Sequence, residues 1–277
     1  MSADQAIPCF SWLDSAVAPH AVLLCIHGLG LHSGTYRNFG ERMARAGVVT
    51  YAMDVRGFGE WNATGLSELD FAACEHDLQN KIAELRARYP GLPLFLLGES
   101  LGGAIATRFV ADHPRIIDGL ITSAPVRRLS NHKLEALKAL WQFIRHPFQP
   151  IVLSSRIIER APYLVAVGQE RPFRMEFSAK ELLHLCQFME TSFRRTVNLE
   201  DTPVLVLQGH GDDIVDSKST LAFFDRLKTK DKSLIVFGDS EHLIFQTSEV
   251  NARPMRLVQD WIAERIPQVD RQLRQVS

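Results

Sequence analysis

Leu94-Phe95-Leu96-Leu97-Gly98-Glu99-Ser100-Leu101-Gly102-Gly103-Ala104-Ile105-Ala106 is the stretch whose reading decides the fold. Its first four residues are apolar and read as a buried strand. The segment Leu101–Asp112 reads as a helix that stops before His113-Pro114. A serine between two glycines at a strand-to-helix turn is the mark of a nucleophile elbow. The serine backbone is strained there, side chains on either flank would clash, and the turn pushes the hydroxyl clear of the sheet.

Outward from the elbow the same grammar repeats. Ala21–Ile26 runs into His27-Gly28, Val48–Met53 into Asp54, and Gly119–Ala124 into Pro125. Val204–Gln208 runs into Gly209, and Ser233–Phe237 into Gly238. Each run is short, branched and unalternating, as expected of strands covered on both faces. Between them lie helical stretches over Tyr36–Arg45, Phe71–Tyr89, Leu101–Asp112, Ser217–Leu227 and Pro254–Ile266, with Asp216 or Ser217 as a helix cap. Strand-helix alternation predicts a doubly wound, mostly parallel sheet flanked by helices, with ligands at the carboxyl ends of the strands. His27, Asp54, Ser100, Asp212 and His242 all fall there.

Residues 127–200 break the alternation and divide the chain into a core, 1–126 and 201–277, and a helical lid inserted over the site. The insertion holds 12 Lys and Arg against 7 Asp and Glu, although the whole chain of 277 residues carries a net charge of −1. One amphipathic helix is read around Leu134, Leu137, Leu140, Trp141 and Ile144. A second opens at Ser178 with Glu181 three residues on, a capping box, and continues through Leu182, Leu185, Phe188 and Met189. The apolar lid face either packs on the core or faces a membrane or micelle. Trp141, Phe143 and Phe148 beside Lys138, Arg145 and Arg156 have the composition for interfacial docking. Near-neutral charge points away from nucleic acid. Cys9, Cys25, Cys74 and Cys186 lack metal-ligand spacing and read as buried free thiols, so no metal site is expected. With no signal-like N-terminus and no apolar run of membrane-spanning length, a cytoplasmic location is expected, with peripheral membrane contact through the lid as its variant. The oligomeric state is not legible.

A serine hydroxyl needs a base within reach, and the base needs an orienting carboxylate. Of ten histidines, His242 lies in the loop after the last strand. Asp212 lies in the loop after the strand before it, with Asp213 as the neighbouring alternative and Asp216 as a cap. The chain order Ser…Asp…His fits an elbow serine. Amide donors for a developing oxyanion are assigned to Leu101, after the nucleophile, and to Leu29 in His27-Gly28-Leu29-Gly30. His32, Arg56 and Glu99 are candidate substrate-binding residues with Trp141 and Phe143, and His210 is a further candidate at the pocket mouth. For His32, Arg56 and His210 the alternative is a loop residue satisfied by backbone or water. For Glu99 it is a hydrogen-bonded carboxylate below the turn, or one whose charge tunes the pH dependence. Asp54 reads as a loop anchor.

These stretches resemble the monoacylglycerol lipase and lysophospholipase group of α/β-hydrolases. His27-Gly28-Leu29-Gly30-Leu31-His32-Ser33-Gly34-Thr35-Tyr36 resembles its HGxGxHSxxY loop, and Asp54-Val55-Arg56-Gly57-Phe58-Gly59 its D-x-R/H-G-x-G turn. Tyr89-Pro90-Gly91-Leu92-Pro93 through Ala104 resembles its elbow block, and Gln208 through Asp212 the stretch carrying the acid. The likeness spans roughly 20–265 and is loose across 127–200. It implies an α/β-hydrolase fold and hydrolysis of carboxylesters, often single-chain glycerides or lysophospholipids, without a cofactor. Glu99 departs from the animal lipases, which carry His there, and resembles plant members including caffeoyl shikimate esterases. An acyltransferase or small-ester carboxylesterase on the same triad, and a non-catalytic binding protein of this fold, are the rival readings.

Overall fold

The computed structural model describes residues 6–125, 150–152 and 173–266. Seven strands form the main sheet: β1 (Cys9–Trp12), β2 (Ala21–Ile26), β3 (Val48–Met53), β4 (Leu94–Glu99), β5 (Gly119–Ser123), β8 (Val204–Gly209) and β9 (Lys232–Phe237). Their order is β1-β3-β2-β4-β5-β8-β9. All neighbours are parallel except β1, which runs antiparallel to β3 with Cys9 opposite Met53. The sequence reading lacks β1, because a four-residue edge strand containing Ser11 leaves no apolar run to detect.

Around the sheet are α1 (Arg37–Arg45), α2 (Gly59–Ala63), α3 (Phe71–Arg88), α4 (Leu101–Asp112), α5 (Ala179–Arg195), α6 (Ser217–Arg226) and α7 (Ala252–Glu264). Polar side chains start several of them. Asp70 accepts from the Ala73 amide, Asp216 from Lys218 and Asn251 from Arg253. Ser178 and Glu181 form the expected capping box on α5. The short α2 is absent from the sequence reading.

Two apolar clusters sandwich the sheet, and successive strand residues feed opposite ones. Leu24 and Ile26 join one cluster, Leu23 and Cys25 the other. That division explains the unbroken apolar runs. The expectation of two covered faces fails for β9, an edge strand on which Val236 is 54% exposed. Cys186 is a second correction. It lies exposed on the outer side of α5, whereas Cys25 and Cys74 are buried and Cys9 is half-buried, all four thiols being free.

The described part of 127–200 comprises β6 (Ile151–Val152) paired antiparallel with β7 (Glu176–Phe177), and helix α5. The apolar face of α5 packs on the core. Leu185, Phe188, Met189 and Phe193 are buried, and Phe188 stacks on Phe71 of α3 with ring centroids 3.8 Å apart. The first amphipathic helix expected of the lid, with Trp141 and Phe143, lies outside the described residues, as do Lys138, Arg145, Phe148 and Arg156.

The chain moves outward from β2 to β3 and then returns to the other side of β2 as β4. This reversal opens a crevice at the carboxyl ends of β2 and β4. Ile26 pairs with Gly98, so the loop after β2 and the turn after β4 are neighbours.

Candidate active site

Ser100 caps helix α4 with φ 56° and ψ −117°, a positive φ that non-glycine residues seldom adopt. Neighbouring elements enforce that strain. The Ser100 amide donates to the Ser123 carbonyl of β5 at 2.9 Å. A Cβ on Gly98 would collide with the Gly102 carbonyl oxygen, and one on Gly102 with the Ile26 carbonyl oxygen. The glycines therefore serve close approach of helix to strand. Ser100 makes no side-chain capping bond to its own helix, unlike Asp70, Ser178 and Asp216. Leu101 opens α4, where backbone N–H groups and the helix dipole favour negative charge.

His242 and Asp212, 30 residues apart, meet. The His242 Nδ1 lies 2.9 Å from Asp212 Oδ2, and the two side chains are 5% and 1% exposed. Asp212 Oδ1 accepts from the Ile214 and Val215 amides at 2.9 Å each, and Oδ2 also from Gln208 Nε2 at 3.0 Å. Burial pushes the Asp212 carboxyl up. The bond and charge of His242 and the two amides outweigh this and hold it below its usual range. Because Oδ2 carries no proton, the His242 Nδ1 is the donor, which leaves Nε2 as the ring's basic nitrogen. Asp213 is exposed, and Asp216 caps α6.

The loop after β2 is pinned at both ends of its histidine. His27, fully buried, accepts from the Val55 amide through Nε2 at 3.0 Å, so its Nδ1 carries the proton given to the Gly28 carbonyl at 2.8 Å. Burial lowers its proton affinity, offset in part by Asp54 and Gly28, in keeping with a neutral ring. A trans peptide sets N–H opposite C=O, so fixing the Gly28 carbonyl also aims the Leu29 N–H away from His27. Gly28 lies against the elbow: a Cβ there would sit 3.6 Å from the Ser100 Cβ. Gly30 has φ 80°, and a Cβ on it would strike Met175 and the Arg174 carbonyl, where the chain returns against this loop and the Arg174 amide donates to the Gly30 carbonyl at 3.0 Å. Asp54 is a buried anchor, accepting from the Ser33 amide and hydroxyl and from the Glu60 amide.

Three of the remaining candidates, Arg56, His32 and Glu99, are engaged with protein groups. Arg56 donates to Asp77 at 2.5 and 2.8 Å, with its guanidinium 3.7 Å from the Trp61 ring centroid. His32, buried, accepts from the Gly34 amide at 3.1 Å and lies 5.4 Å from the Phe173 ring. His210 is exposed. Glu99 is fully buried, and its carboxylate accepts from the Ile244 and Phe245 amides and from Gln246 Nε2. Gln246 is absent from the sequence reading, and Thr35 and Gln208 appear there only inside motif stretches, without a role. The partners that give Gln246 and Thr35 theirs lie 147 and 211 residues away in the chain, whereas Gln208 bonds Asp212 four residues on. Among the described residues no group of three or more His, Cys, Asp or Glu is placed to hold a metal ion, and no helix is long and apolar enough to cross a membrane.

Comparison with known proteins bears on the family and the fold. The chain is 25% identical to the monoglyceride lipase of Rattus norvegicus over 272 residues, covering 95% of this chain and 88% of that protein. The crystal structure of Paleococcus ferrophilus monoacylglycerol lipase superposes with a TM-score of 0.73 at 25% identity, over 94% of this chain and 100% of the other. A soluble variant of the Saccharomyces cerevisiae monoglyceride lipase, in complex with a substrate analogue, gives 0.79 at 20% identity over 94% and 92%. The fold is the expected α/β-hydrolase fold. A model of the Hydrolase_4 family, described as serine aminopeptidase S33, matches residues 17–249. The chain belongs to that family.

Proposed function

We propose that the protein hydrolyses monoacylglycerols or similar single-chain hydrophobic esters through an acyl-enzyme on Ser100. It is a carboxylic ester hydrolase. The observation that carries the reading is the buried His242–Asp212 pair, 2.9 Å across, in the loops after β9 and β8 of the sheet whose β4 ends in the strained Ser100. His242 Nε2 takes the Ser100 proton as Oγ attacks the ester carbonyl. Asp212 holds the tautomer and stabilises the imidazolium. The Leu29 and Leu101 amides receive the oxyanion. Collapse expels the alcohol, which takes the proton from His242. Water, deprotonated by the same nitrogen, then attacks the acyl carbonyl and releases the fatty acid and free Ser100. Arg56 and His32 lie in the loops after β3 and β2, and the Leu, Phe and Trp side chains within 127–200 would receive the acyl chain.

The test is turnover of a monoacylglycerol panel graded in acyl length, together with fluorophosphonate labelling. Ser100→Ala is expected to abolish both, with free acid as the wild-type product and medium or long chains preferred to acetyl. Labelling that survives at another residue overturns the assignment. Acyl transfer to an added alcohol in place of acid release would make the enzyme an acyltransferase, and cleavage of aminoacyl amides in preference to esters would make it a peptidase.

A further inference from the structure

Glu99 stands next to the nucleophile yet faces away from it. Its Oε1 accepts from the Ile244 amide at 2.8 Å and from the Phe245 amide at 3.1 Å, and its Oε2 accepts from Gln246 Nε2 at 3.0 Å. These three residues begin two positions after His242, and 243–246 are buried. Gln246 Oε1 lies 2.8 Å from the Thr35 hydroxyl, which is also 2.6 Å from the His32 carbonyl, so its single proton serves one of the two at a time. Thr35 belongs to the loop after β2 that holds the Leu29 amide. One carboxylate thus joins the elbow, the loop carrying His242 and the loop carrying Leu29. The separations in sequence are 145 to 147 residues for Glu99 and 211 for Thr35 with Gln246.

We infer that Glu99, acting through the Ile244 and Phe245 amides and Gln246, is a positioning residue that fixes the His242 ring relative to the Ser100 hydroxyl. The inference rests on the triad reading above. Among the described residues the Ile244 and Phe245 amides have no acceptor other than Glu99, and the segment from His242 to Ile244 is too short to let the ring drift while those amides stay bonded. A displacement of about 1 Å between base and nucleophile costs on the order of 100-fold in rate. The chain of bonds also makes a distinction between charge and shape. In Glu99→Gln the retained oxygen can keep both backbone amides. Gln246 can then turn its amide over, accept from the new NH2, and donate to a Thr35 hydroxyl whose proton goes to the His32 carbonyl. In Glu99→Leu two buried N–H groups lose their acceptor.

The experiment measures kcat and KM on a soluble p-nitrophenyl ester for Glu99→Leu, Glu99→Gln and Gln246→Leu, with the downfield proton resonance of the His242 Nδ1–H as a structural signal. Glu99→Leu is expected to lose about 100-fold in kcat with KM within about threefold, and to lose or broaden the resonance. Glu99→Gln is expected to recover to within about fivefold of wild type and to keep the resonance. A folded Glu99→Leu with wild-type kcat overturns the inference, as does equal impairment of the Leu and Gln variants. If Glu99→Leu does not fold, Gln246→Leu decides: a loss of about tenfold in kcat at constant KM supports the role, and an unchanged kcat overturns it. Ser100→Ala and His242→Ala are assayed alongside. Activity retained in either one sinks the triad reading, whereas inactivity in both beside a wild-type Glu99→Leu sinks only the positioning role.

Discussion

Asp212→Asn is the sharpest probe of the site, because the surrounding bonds dictate how the new amide must sit. The native Oδ1 accepts from two backbone amides, Ile214 and Val215, and Oδ2 from Gln208 and His242. An asparagine has one oxygen for these four donors. Turning its NH2 toward Ile214 and Val215 would forfeit two buried backbone bonds at about 1 kcal/mol each, with further cost for leaving the donors unsatisfied. The oxygen therefore keeps the backbone side, and the NH2 faces His242. Gln208 cannot turn to rescue it, since its Oε1 accepts from Thr220 at 2.6 Å and its Nε2 also donates to the Gly209 carbonyl at 3.0 Å. With a donor opposite, His242 must present a bare Nδ1 and move its proton to Nε2, the nitrogen that the proposed mechanism needs as base. The same substitution in a serine-protease triad leaves the geometry intact and lowers kcat about 10⁴-fold. That factor is about 5.4 kcal/mol of lost transition-state stabilisation. The assay is kcat/KM on a p-nitrophenyl ester, with imidazole nitrogen NMR to read the tautomer. A variant within tenfold of wild type, or one whose His242 keeps its proton on Nδ1, would refute the reasoning.

Three further outcomes follow from the same contacts. Leu29→Ala keeps the backbone N–H and should change kcat little, whereas Leu29→Pro deletes it and should lose about 10²- to 10³-fold; equal kcat in the two variants would remove Leu29 from the oxyanion assignment. Arg56→Ala leaves the buried Asp77 carboxylate without its bidentate partner. The expected cost is about 3 kcal/mol, seen as a fall in melting temperature of roughly 6–12 °C, and a fall under 2 °C would count against the pair as a structural tie. The folded Asp212 carboxyl titrates below its unfolded value. Its contribution to stability is therefore present above about pH 3.9, the unfolded value, and is lost as pH falls through the lower folded value. Urea midpoints of wild type and Asp212→Asn should accordingly converge as pH falls through that window, and a gap that widens toward acid would contradict the sign.

What the sequence determined by itself is what short-range chemistry encodes. The apolar runs ending in His27, Asp54 and Gly209, the Gly-flanked Ser100, the capping box of Ser178 with Glu181 and the cap at Asp216 all depend on residues within a few positions of one another. Each was legible for that reason, and each stands in the structure. Asp212 and His242 were readable as a pair only through strand order, since they lie in the loops after adjacent parallel strands. The tertiary structure alone decided what depends on partners far along the chain. Nothing beside Arg56 announces Asp77, 21 residues on. Nothing around Cys186 shows that its side of α5 faces water, and the two-residue strands β6 and β7 have no pattern at all. The clearest case is Glu99. In sequence it is a carboxylate beside a nucleophile, whereas in space its hydrogen bonds go to a loop about 145 residues away. A buried polar group must find partners wherever packing supplies them, and only the packed sheet brings those partners within reach.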